Sequence, residues 1–374
     1  MPGYSVGLPR LHKEAGERRD FLPPLIEFLD RVGAESILIE EGYGSGMGIP
    51  LSDYLAASPR CRVGTLAECY AQQVVVALRC PDEALLRTLK PGTTLLSMLH
   101  FPTRPARVKL LADLGLHAVS LDSVKDDLGN RLVQNMASVG WNGIRASFGE
   151  LAKTLRDFSE PRRRPIRVTV LGSGAVGGHA AHAAIRYGDP ALRSRLTRQG
   201  VPGVEVTMID YELTGDERYM LTRLEHTDLL VDATQRPDPS RVVIPNDWVA
   251  ALPQHAVVLD LAVDPYALDG NPPSTKGIEG VPEGNLDRYV FGPQDPAYDA
   301  LDPRVRHHHR RTALSCYSWP GVEPKPCMEV YGAQIEPVLR ALVATGVENL
   351  DPDKGPFYER ATARAELKHW RKTH

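Results

Sequence analysis

One stretch of the sequence combines residue types and a spacing that suit the binding of a dinucleotide. A β-branched run, 167–171, enters a turn with the pattern G-x-G-x-x-G, and small residues follow it at helical spacing. In this pattern the first glycine permits a tight turn, the second lets the backbone approach a pyrophosphate, and the third lets helix and strand pack closely. The free N–H groups of the following helix would face the phosphates. The cofactor-binding residues predicted for this turn are Gly172, Ser173, Gly174, Ala175, Val176 and Gly177.

The acid that ends the next apolar run indicates which dinucleotide binds. Asp210 closes the run 204–209, and an acid there accepts hydrogen bonds from the ribose hydroxyls and repels a 2'-phosphate, which predicts NAD. It lies further from the glycines than the usual spacing of about 20 residues, because 186–202 reads as an insertion. Ala233 and Thr234, which follow the third apolar run, complete the predicted cofactor contacts. The alternative is a glycine turn that binds nothing, and the flanking runs and the acid favour the dinucleotide.

Polar side chains also follow apolar runs earlier in the chain. Arg79 follows the run 74–78, His100 follows 94–99, and Arg18 lies in a charged loop after the first predicted strand. Ligands of open parallel sheets bind beyond the carboxyl ends of the strands. Arginine can hold a carboxylate at two points, and the ordinary pKa of histidine, about 6.5, suits proton transfer at neutral pH. The alternatives are a solvated loop at Arg18 and a structural histidine at position 100.

Length and composition limit the classes of protein that the chain can belong to. A chain of 374 residues predicts two or three domains, and 42% hydrophobic with 24% charged residues is typical of globular proteins. A net charge of -3 gives no electrostatic reason to expect nucleic acid or a membrane surface as a partner. We see no apolar run of transmembrane length and no basic-then-apolar leader, which predicts a cytoplasmic location.

Cysteine and histidine patterns predict no metal site. The five cysteines have no C-x-x-C spacing, so we expect reduced thiols without a disulfide framework or a zinc site. The run His307, His308 and His309 resembles a metal-binding tract. Three adjacent histidines cannot all face one ion from a regular element, however, and no carboxylate cluster flanks them. We therefore predict that this run binds no metal.

The order of apolar runs and turns predicts an α/β protein. Strand-like runs alternate with helical segments on both sides of a charged, proline-bounded linker at 160–165, and this alternation is typical of parallel sheets. The segment 265–306 is rich in Pro, Gly and Asp and reads as loops. The segment 316–326 contains three prolines and is predicted to be extended rather than helical.

Taken together, these segments resemble the alanine dehydrogenase superfamily, which includes the first component of pyridine nucleotide transhydrogenase and the lysine-forming saccharopine dehydrogenases. The resemblance spans nearly the whole chain in the order of the family. The segment 120–131 is closer to the saccharopine dehydrogenases than to the alanine dehydrogenases. The parts that carry the resemblance are 6–9 with Lys13, Arg18 and Pro23, then 95–100, 258–264 and 317–324.

The resemblance implies roles for the polar residues. Arg18 would hold the substrate carboxylate, His100 would be catalytic, and Asp264 would stabilise a developing iminium ion or orient the attacking water. Arg79 stands where the family has a lysine that binds or protonates the substrate. Because the pKa of arginine lies above about 12, Arg79 can bind the substrate but cannot transfer a proton. Proton transfer therefore falls on His100.

The resemblance also implies an architecture and an activity. Two Rossmann-like domains, each a doubly wound and mostly parallel sheet, would flank a cleft: a substrate domain of 1–140 plus 305–374, and an NAD-binding domain of 141–304. The activity would be NAD-dependent oxidation of the C–N bond of an amino acid to give a 2-oxo acid. The assembly remains open between a monomer and a homo-oligomer, because one branch of the superfamily forms hexamers and the other monomers.

Two other activities are compatible with the sequence. The first is a saccharopine dehydrogenase-like condensation of an amino acid with a 2-oxo acid, which needs a larger pocket and further cations such as Arg104 and Arg131. The second is an NAD(H)-binding subunit without amino-acid chemistry of its own. The presence of both Arg18 and His100 disfavours the second alternative.

Overall fold

The structure, a computed structural model, describes residues 3–11 and 16–373. It divides into two compact units, Met1–Asn135 with Glu323–His374 and Met136–Val322. The sequence placed the junctions after residues 140 and 304. In the structure, residues 305–322 belong to the second unit. The strand that they contain, Thr312–Ser315, pairs with a strand of that unit's sheet.

Strands occur throughout the described ranges, and most are short. They are β1 (Tyr4–Leu8), β2 (Ala34–Glu40), β3 (Cys61–Gly64), β4 (Val74–Arg79), β5 (Thr94–Met98), β6 (His117–Ser120), β7 (Ile166–Leu171), β8 (Val204–Ile209), β9 (Leu229–Asp232), β10 (Val257–Asp260), β11 (Val290–Phe291) and β12 (Thr312–Ser315).

Helices follow most of these strands. They are α1 (Pro23–Arg31), α2 (Leu51–Ala57), α3 (Leu66–Tyr70), α4 (Glu83–Leu86), α5 (Pro105–Asp113), α6 (Met136–Thr154), α7 (Ala175–Ala184), α8 (Pro190–Arg198), α9 (Glu217–Leu224), α10 (Asn246–Val249), α11 (Pro324–Thr345), α12 (Phe357–Ala365) and α13 (Leu367–Thr373).

The first unit contains a sheet in which all paired neighbours are parallel. The strand order is β3-β2-β1-β4-β5-β6, so the order reverses between β1 and β4. At such a point the connections that leave β1 and β4 go to opposite faces of the sheet, and a crevice forms beyond the strand ends. The residues after β1, β4 and β5 are therefore positioned by this sheet.

The second unit repeats the arrangement with one antiparallel edge. Its strand order is β11-β12-β10-β9-β7-β8, and every pair is parallel except that of β11 with β12. The glycine turn follows β7, which lies between β8 and β9 at the reversal of this sheet. The prediction of an α/β fold with two doubly wound, mostly parallel sheets is confirmed.

Continuous apolar runs form the central strands because both faces of each sheet are covered. In β4 the residues 74–78 are all buried, and in β7 and β9 nearly every side chain is inaccessible. A strand with helices on both sides must be apolar on both faces, which is why the runs of β4 and β9 do not alternate with polar residues. The same runs were recognised as strands from the sequence.

Two sequence predictions about loops were wrong in part. The helix α11 begins at Pro324, inside the segment predicted to be extended, because proline is tolerated in the first turn of a helix, where its missing N–H has no partner. The segment 265–306 contains the short strand β11, which pairs with β12. Within the described ranges, no helix has the length and apolar character needed to cross a membrane.

Candidate active site

A buried carboxylate after β1 binds two arginines in the first unit. Glu17 accepts hydrogen bonds from Nε of Arg19 at 2.8 Å and from Nη2 of Arg19 at 2.5 Å, and Nη1 of Arg79 lies 3.8 Å from its Oε2. Burial raises the pKa of Glu17, but the hydrogen bonds from Arg19 and the charge of Arg79 lower it below its usual value. The Arg79 side chain is 24% exposed, against 3% for Arg19. Arg79 is therefore more accessible to a ligand than Arg19.

Arg18, predicted to hold the substrate carboxylate, is exposed. Its backbone N–H donates to Oε1 of Glu17 at 3.0 Å, and the glycine-rich loop after β2 packs on its backbone, since a Cβ added at Gly46 would lie 3.2 Å from its Cα. The structure thus keeps the Arg18 side chain at the surface and buries the neighbouring Arg19, which the sequence did not single out. Lys13, part of the same motif, lies outside the described residues.

His100 pairs with the carboxylate of Asp122, which lies directly after the neighbouring strand β6. Its Nδ1 lies 3.3 Å from Oδ2 of Asp122, and its backbone N–H donates to Oδ1 of the same carboxylate at 3.1 Å. The hydroxyl of Ser120 also donates to this Oδ1, at 2.8 Å. Burial alone would raise the pKa of Asp122, but the hydrogen bonds and charge of His100, with the bond from Ser120, lower it to about 2. Asp122 is an ionised acceptor that orients the imidazole.

The backbone at His100 has a conformation that is uncommon for a residue other than glycine. Its φ is 53°, in the left-handed region, and the preceding carbonyl of Leu99 accepts a hydrogen bond from Nη1 of Arg107 at 2.8 Å. Such conformations are found preferentially at functional sites. Arg79 lies opposite Met98 in the sheet, so Arg79 and His100 leave it at the same edge.

The glycine turn after β7 has the geometry that the sequence pattern requires. Gly172 has φ of +96°, and a Cβ there would lie 2.6 Å from the carbonyl oxygen of Ala233. A Cβ at Gly177 would lie 2.1 Å from the carbonyl oxygen of Gly172, whereas one at Gly174 would meet no atom within 4 Å. The helix α7 starts directly after Gly174. Because glycine has no side chain, no side chain at this position caps the first N–H groups of the helix. The turn therefore fits a pyrophosphate beside Gly174.

The other predicted cofactor residues lie at the same edge of the second sheet. Asp210 follows β8 and is exposed, with its Oδ1 accepting a hydrogen bond from the N–H of Tyr211 at 2.8 Å. Thr234 donates to Oδ1 of Asp232 from its backbone N–H at 3.0 Å and from its hydroxyl at 2.6 Å. The N–H of Ala233 is bonded to the backbone of β7. The residues that could hold a dinucleotide thus directly follow three adjacent strands of the sheet, β8, β7 and β9.

Two buried carboxylates end β9 and β10 side by side. Asp232 lies opposite Asp260, whose Oδ2 is 2.6 Å from Nζ of Lys276 and accepts a hydrogen bond from the Ser315 hydroxyl at 2.9 Å. Burial, with the nearby charge of Asp260, raises the pKa of Asp232 to about 6. The two acids therefore differ: Lys276 compensates the charge of Asp260, whereas burial and the charge of Asp260 disfavour the ionised form of Asp232.

Asp264 forms an ion pair that the sequence did not predict. Nη2 of Arg236 lies 2.6 Å from Oδ2 of Asp264 and also donates to the carbonyl of Thr275 at 2.6 Å. The Arg236 side chain is 5% exposed, and that of Asp264 is 37% exposed. The preceding Val263 has φ of 51°, and its N–H donates to Oδ1 of Asp260 at 2.8 Å. This conformation is rare for a β-branched residue, and the hydrogen bond to Asp260 holds the backbone in it directly before Asp264.

The charged partners of His100, Arg79 and Asp264 were missed by sequence reasoning for different reasons. Asp122 follows the strand β6, so the rule that selected His100 at a strand end could also have selected it. Glu17 stands in the charged loop, where nothing in the pattern distinguishes a buried acid from a solvated one. Arg236 lies in a loop after β9, and its partner Asp264 is distant in sequence, so no local pattern connects them.

Comparison with known proteins finds a family model and relatives that this chain resembles. Residues 8–140 match the family described as "Alanine dehydrogenase/PNT, N-terminal domain". The chain is 24% identical over 253 residues to an alanine dehydrogenase of Halomonas elongata, which covers 61% of this chain and 64% of that protein. An L-alanine dehydrogenase structure aligns with a TM-score of 0.71 at 19% identity, covering 97% and 94% of the two chains. These matches support the alanine dehydrogenase and transhydrogenase superfamily as the group that this chain resembles.

The resemblance seen in the sequence is thereby confirmed for this superfamily. A transhydrogenase structure from Sinorhizobium meliloti also aligns, with a TM-score of 0.57 at 16% identity, covering 92% of this chain and 95% of that chain. At these identities the solved structures show a shared fold. The match to the Halomonas protein spans slightly less than two thirds of that protein's length. The family model covers Arg18, Arg79 and His100, whereas the glycine turn and Asp264 lie beyond it.

Proposed function

We propose that this protein is an NAD-dependent oxidoreductase that acts on the C–N bond of an amino acid, in the manner of an alanine dehydrogenase. Relatives named alanine dehydrogenase support the reaction class. The observation that carries the proposal is the pair of His100 and Asp122, at the same sheet edge as Arg79. In the reaction, the carbon that bears nitrogen loses a hydride and becomes cationic, and water then adds to release ammonia and a 2-oxo acid.

The glycine turn supports NAD as the cofactor. The backbone N–H groups at the start of α7 would hold the pyrophosphate beside Gly174, where the structure leaves room for close approach. Asp210 would accept the ribose hydroxyls and repel a 2'-phosphate. Ala233 and Thr234 would contact the cofactor from the end of β9, with Thr234 oriented by Asp232. When bound, NAD supplies a nicotinamide ring that accepts the hydride.

His100 would accept and return the proton. Because its Nδ1 faces the carboxylate of Asp122, the geometry favours a proton on Nδ1 and leaves Nε2 as the acceptor. In the oxidative direction Nε2 would remove a proton from the attacking water, and in the reductive direction it would donate one. The imidazole is 53% exposed at its side chain, so substrate can reach it. A positioned base of this kind contributes about 10²–10⁴-fold to a rate.

The arginines would hold the substrate carboxylate. Arg79 can approach it with one edge of its guanidinium while Glu17 fixes the other, and Arg18 offers a second, exposed cation. Arginine is well suited to two-point binding of a carboxylate and cannot act as the acid. This division leaves recognition to Arg79 and Arg18 and proton transfer to His100.

Asp264 would stabilise the positive charge that develops on the substrate carbon. Arg236 fixes its Oδ2, and the partial exposure of the side chain leaves the carboxylate accessible. A carboxylate held in one direction before the reaction needs little reorganisation as charge develops, which is the general basis of electrostatic catalysis.

A panel of substrate pairs tests the proposal. The protein is mixed with NADH and ammonia together with pyruvate or other 2-oxo acids, and then with lysine plus 2-oxoglutarate, while the absorbance of NADH is followed. We expect turnover with a 2-oxo acid and ammonia, and weaker turnover when NADPH replaces NADH. Turnover only with lysine present would select the saccharopine dehydrogenase-like reaction, for which the exposed Arg104 and Arg131 are the candidate cations. Tight NADH binding without turnover of any pair would instead indicate a non-catalytic subunit.

A further inference from the structure

The histidine run before β12 has a carboxylate neighbour that is distant in the sequence. His308 and His309 lie in an irregular segment of the second unit, and Asp247 belongs to α10. One potential ligand atom from each of these three residues lies within 4.8 Å of the other two. Nε2 of His308 is 3.0 Å from Oδ1 of Asp247, and the two imidazole centroids are 4.4 Å apart. Two imidazoles and a carboxylate thus converge at one point of the surface.

These distances suit a small metal ion. Ligand bonds to zinc of about 2.0–2.2 Å in tetrahedral geometry place neighbouring ligand atoms about 3.4 Å apart. The His308 to Asp247 separation of 3.0 Å is already close to this value. Small side-chain rotations would bring the remaining ligand atom of His309 into place, because His308 and Asp247 are exposed and His309 is partly exposed.

A buried asparagine fixes the backbone of this group. Asn246, which is 1% exposed, accepts a hydrogen bond from the N–H of His309 at 2.9 Å and donates from Nδ2 to the carbonyl of His309 at 3.0 Å. Its own N–H donates to Oε2 of the buried Glu279 at 2.9 Å. Since Asn246 precedes Asp247, this two-point clamp sets the register between the carboxylate and the histidines. The polypeptide is therefore arranged before any ligand arrives.

The third histidine of the run is directed elsewhere. Nδ1 of His307 lies 2.9 Å from the carbonyl oxygen of Val305, and its own carbonyl accepts a hydrogen bond from Nε of Arg310 at 3.1 Å. The sequence argument against a shared ion assumed that the three histidines lie in a regular helix or strand. It does not apply to His308 and His309, because the segment is not a regular helix or strand.

The local charge is also compatible with a cation. Nη1 of Arg306 lies 2.6 Å from Oδ2 of Asp247, and its Nη2 lies 3.1 Å from Oε2 of Glu279. One guanidinium is thus shared by two carboxylates, which leaves one negative charge among the three groups. Arg306 occupies Oδ2, so Oδ1 is the oxygen directed at His308.

We propose that Asp247, His308 and His309 bind one divalent transition-metal ion of the zinc class, with water completing its coordination. Imidazole with one carboxylate suits Zn²⁺, Ni²⁺ or Cu²⁺, whereas Mg²⁺ and Ca²⁺ prefer sets of oxygen ligands. The ion would link α10 to the segment that leads into β12 and so stabilise this part of the second unit. The site is separate in chemistry from the amino-acid reaction and does not depend on it.

Calorimetric titration of the full chain, without a histidine purification tag, tests the site. With ZnCl₂ we expect one ion per chain, and His308→Ala, His309→Ala and Asp247→Asn should each weaken binding by at least about tenfold. His307→Ala is the matched control and should bind as the unchanged protein does, because that ring faces Val305. MgCl₂ should give no comparable heat.

Thermal unfolding gives a second readout that needs no enzyme activity. A ligand that binds only the folded state raises the melting temperature. Zn²⁺ should therefore raise it for the unchanged protein and for His307→Ala, and should have little effect on His308→Ala or His309→Ala. Absence of Zn²⁺ binding, or equal loss of affinity in His307→Ala and His308→Ala, would overturn the proposal. Either result leaves the dehydrogenase proposal untouched, since no turnover is measured.

Discussion

Nδ1 of His100 lies 3.3 Å from Oδ2 of Asp122, while Oδ1 of the same carboxylate accepts the backbone N–H of His100 at 3.1 Å. One carboxylate therefore fixes both the ring and the backbone of the histidine. Asp122 is itself held by the hydroxyl of Ser120. This arrangement keeps a left-handed backbone and an exposed imidazole in one orientation, which is what a base needs before its substrate arrives.

Replacement of His100 by alanine should affect chemistry and not cofactor binding. We expect kcat to fall by about 10²–10⁴-fold, since a positioned acid–base group contributes that much, while NADH affinity stays within about twofold. Steady-state kinetics and fluorescence titration with NADH measure the two quantities. His117→Ala is a suitable control because His117 lies at the opposite end of β6. A kcat unchanged in His100→Ala would remove this histidine from the mechanism.

Asp122→Asn should lower stability in a pH-dependent way. The pKa of Asp122 falls from its ordinary 3.8 to about 2 in the folded protein, so ionised Asp122 stabilises the fold above about pH 4, and this contribution is lost as pH falls through 2. At neutral pH the variant should be less stable by about 2 kcal/mol. Urea unfolding at a series of pH values measures this, and a difference that stays constant from pH 7 to pH 2 would contradict the assignment.

At neutral pH, Asp232→Asn should change the stability of the fold in the opposite direction to Asp122→Asn. Burial and the charge of Asp260 raise the pKa of Asp232 to about 6, so the folded state favours the protonated acid. Its contribution to stability is full below about pH 4 and is lost as pH rises through 6. Asparagine resembles the neutral acid, so above pH 6 the variant should be more stable than the unchanged protein, with a higher urea midpoint of unfolding. The same unfolding series tests this, and a variant less stable at pH 8 than at pH 4, relative to the unchanged protein, would be the contrary result.

Gly174→Ala should separate cofactor binding from folding. A Cβ at Gly174 would meet no atom within 4 Å, so the variant should unfold like the unchanged protein. The added methyl group would stand where the pyrophosphate approaches, and NADH affinity should fall by at least about tenfold, or about 1.4 kcal/mol.

Gly178→Ala is the matched control for this prediction. It lies one turn into α7, and a Cβ there would also meet no atom within 4 Å. It should leave NADH affinity unchanged and stabilise the helix slightly, because alanine is a better helix former than glycine. Equal NADH affinities for the two variants would argue against binding of the pyrophosphate beside Gly174.

Much of the fold could be predicted from the sequence because its signals are local. The apolar runs that became β4 and β9 are continuous, and strands covered on both faces require that pattern. The glycines of the turn are also recognisable by spacing, because the G-x-G-x-x-G pattern lies within six consecutive residues, 172–177. The start of α11 was predicted wrongly, because proline is compatible both with an extended segment and with the first turn of a helix.

The partners of the candidate site residues depend on contacts between distant segments. From the sequence alone we could select His100, Arg79, Asp264 and the glycine turn, because each follows an apolar run at a strand end. Only the tertiary structure decided that Asp122 orients His100, that Arg236 binds Asp264, and that Asp247 joins two of the three histidines. A residue's type and its place along the chain are fixed by the sequence, whereas charge pairing and burial depend on which strand ends the fold brings within about 3 Å of one another.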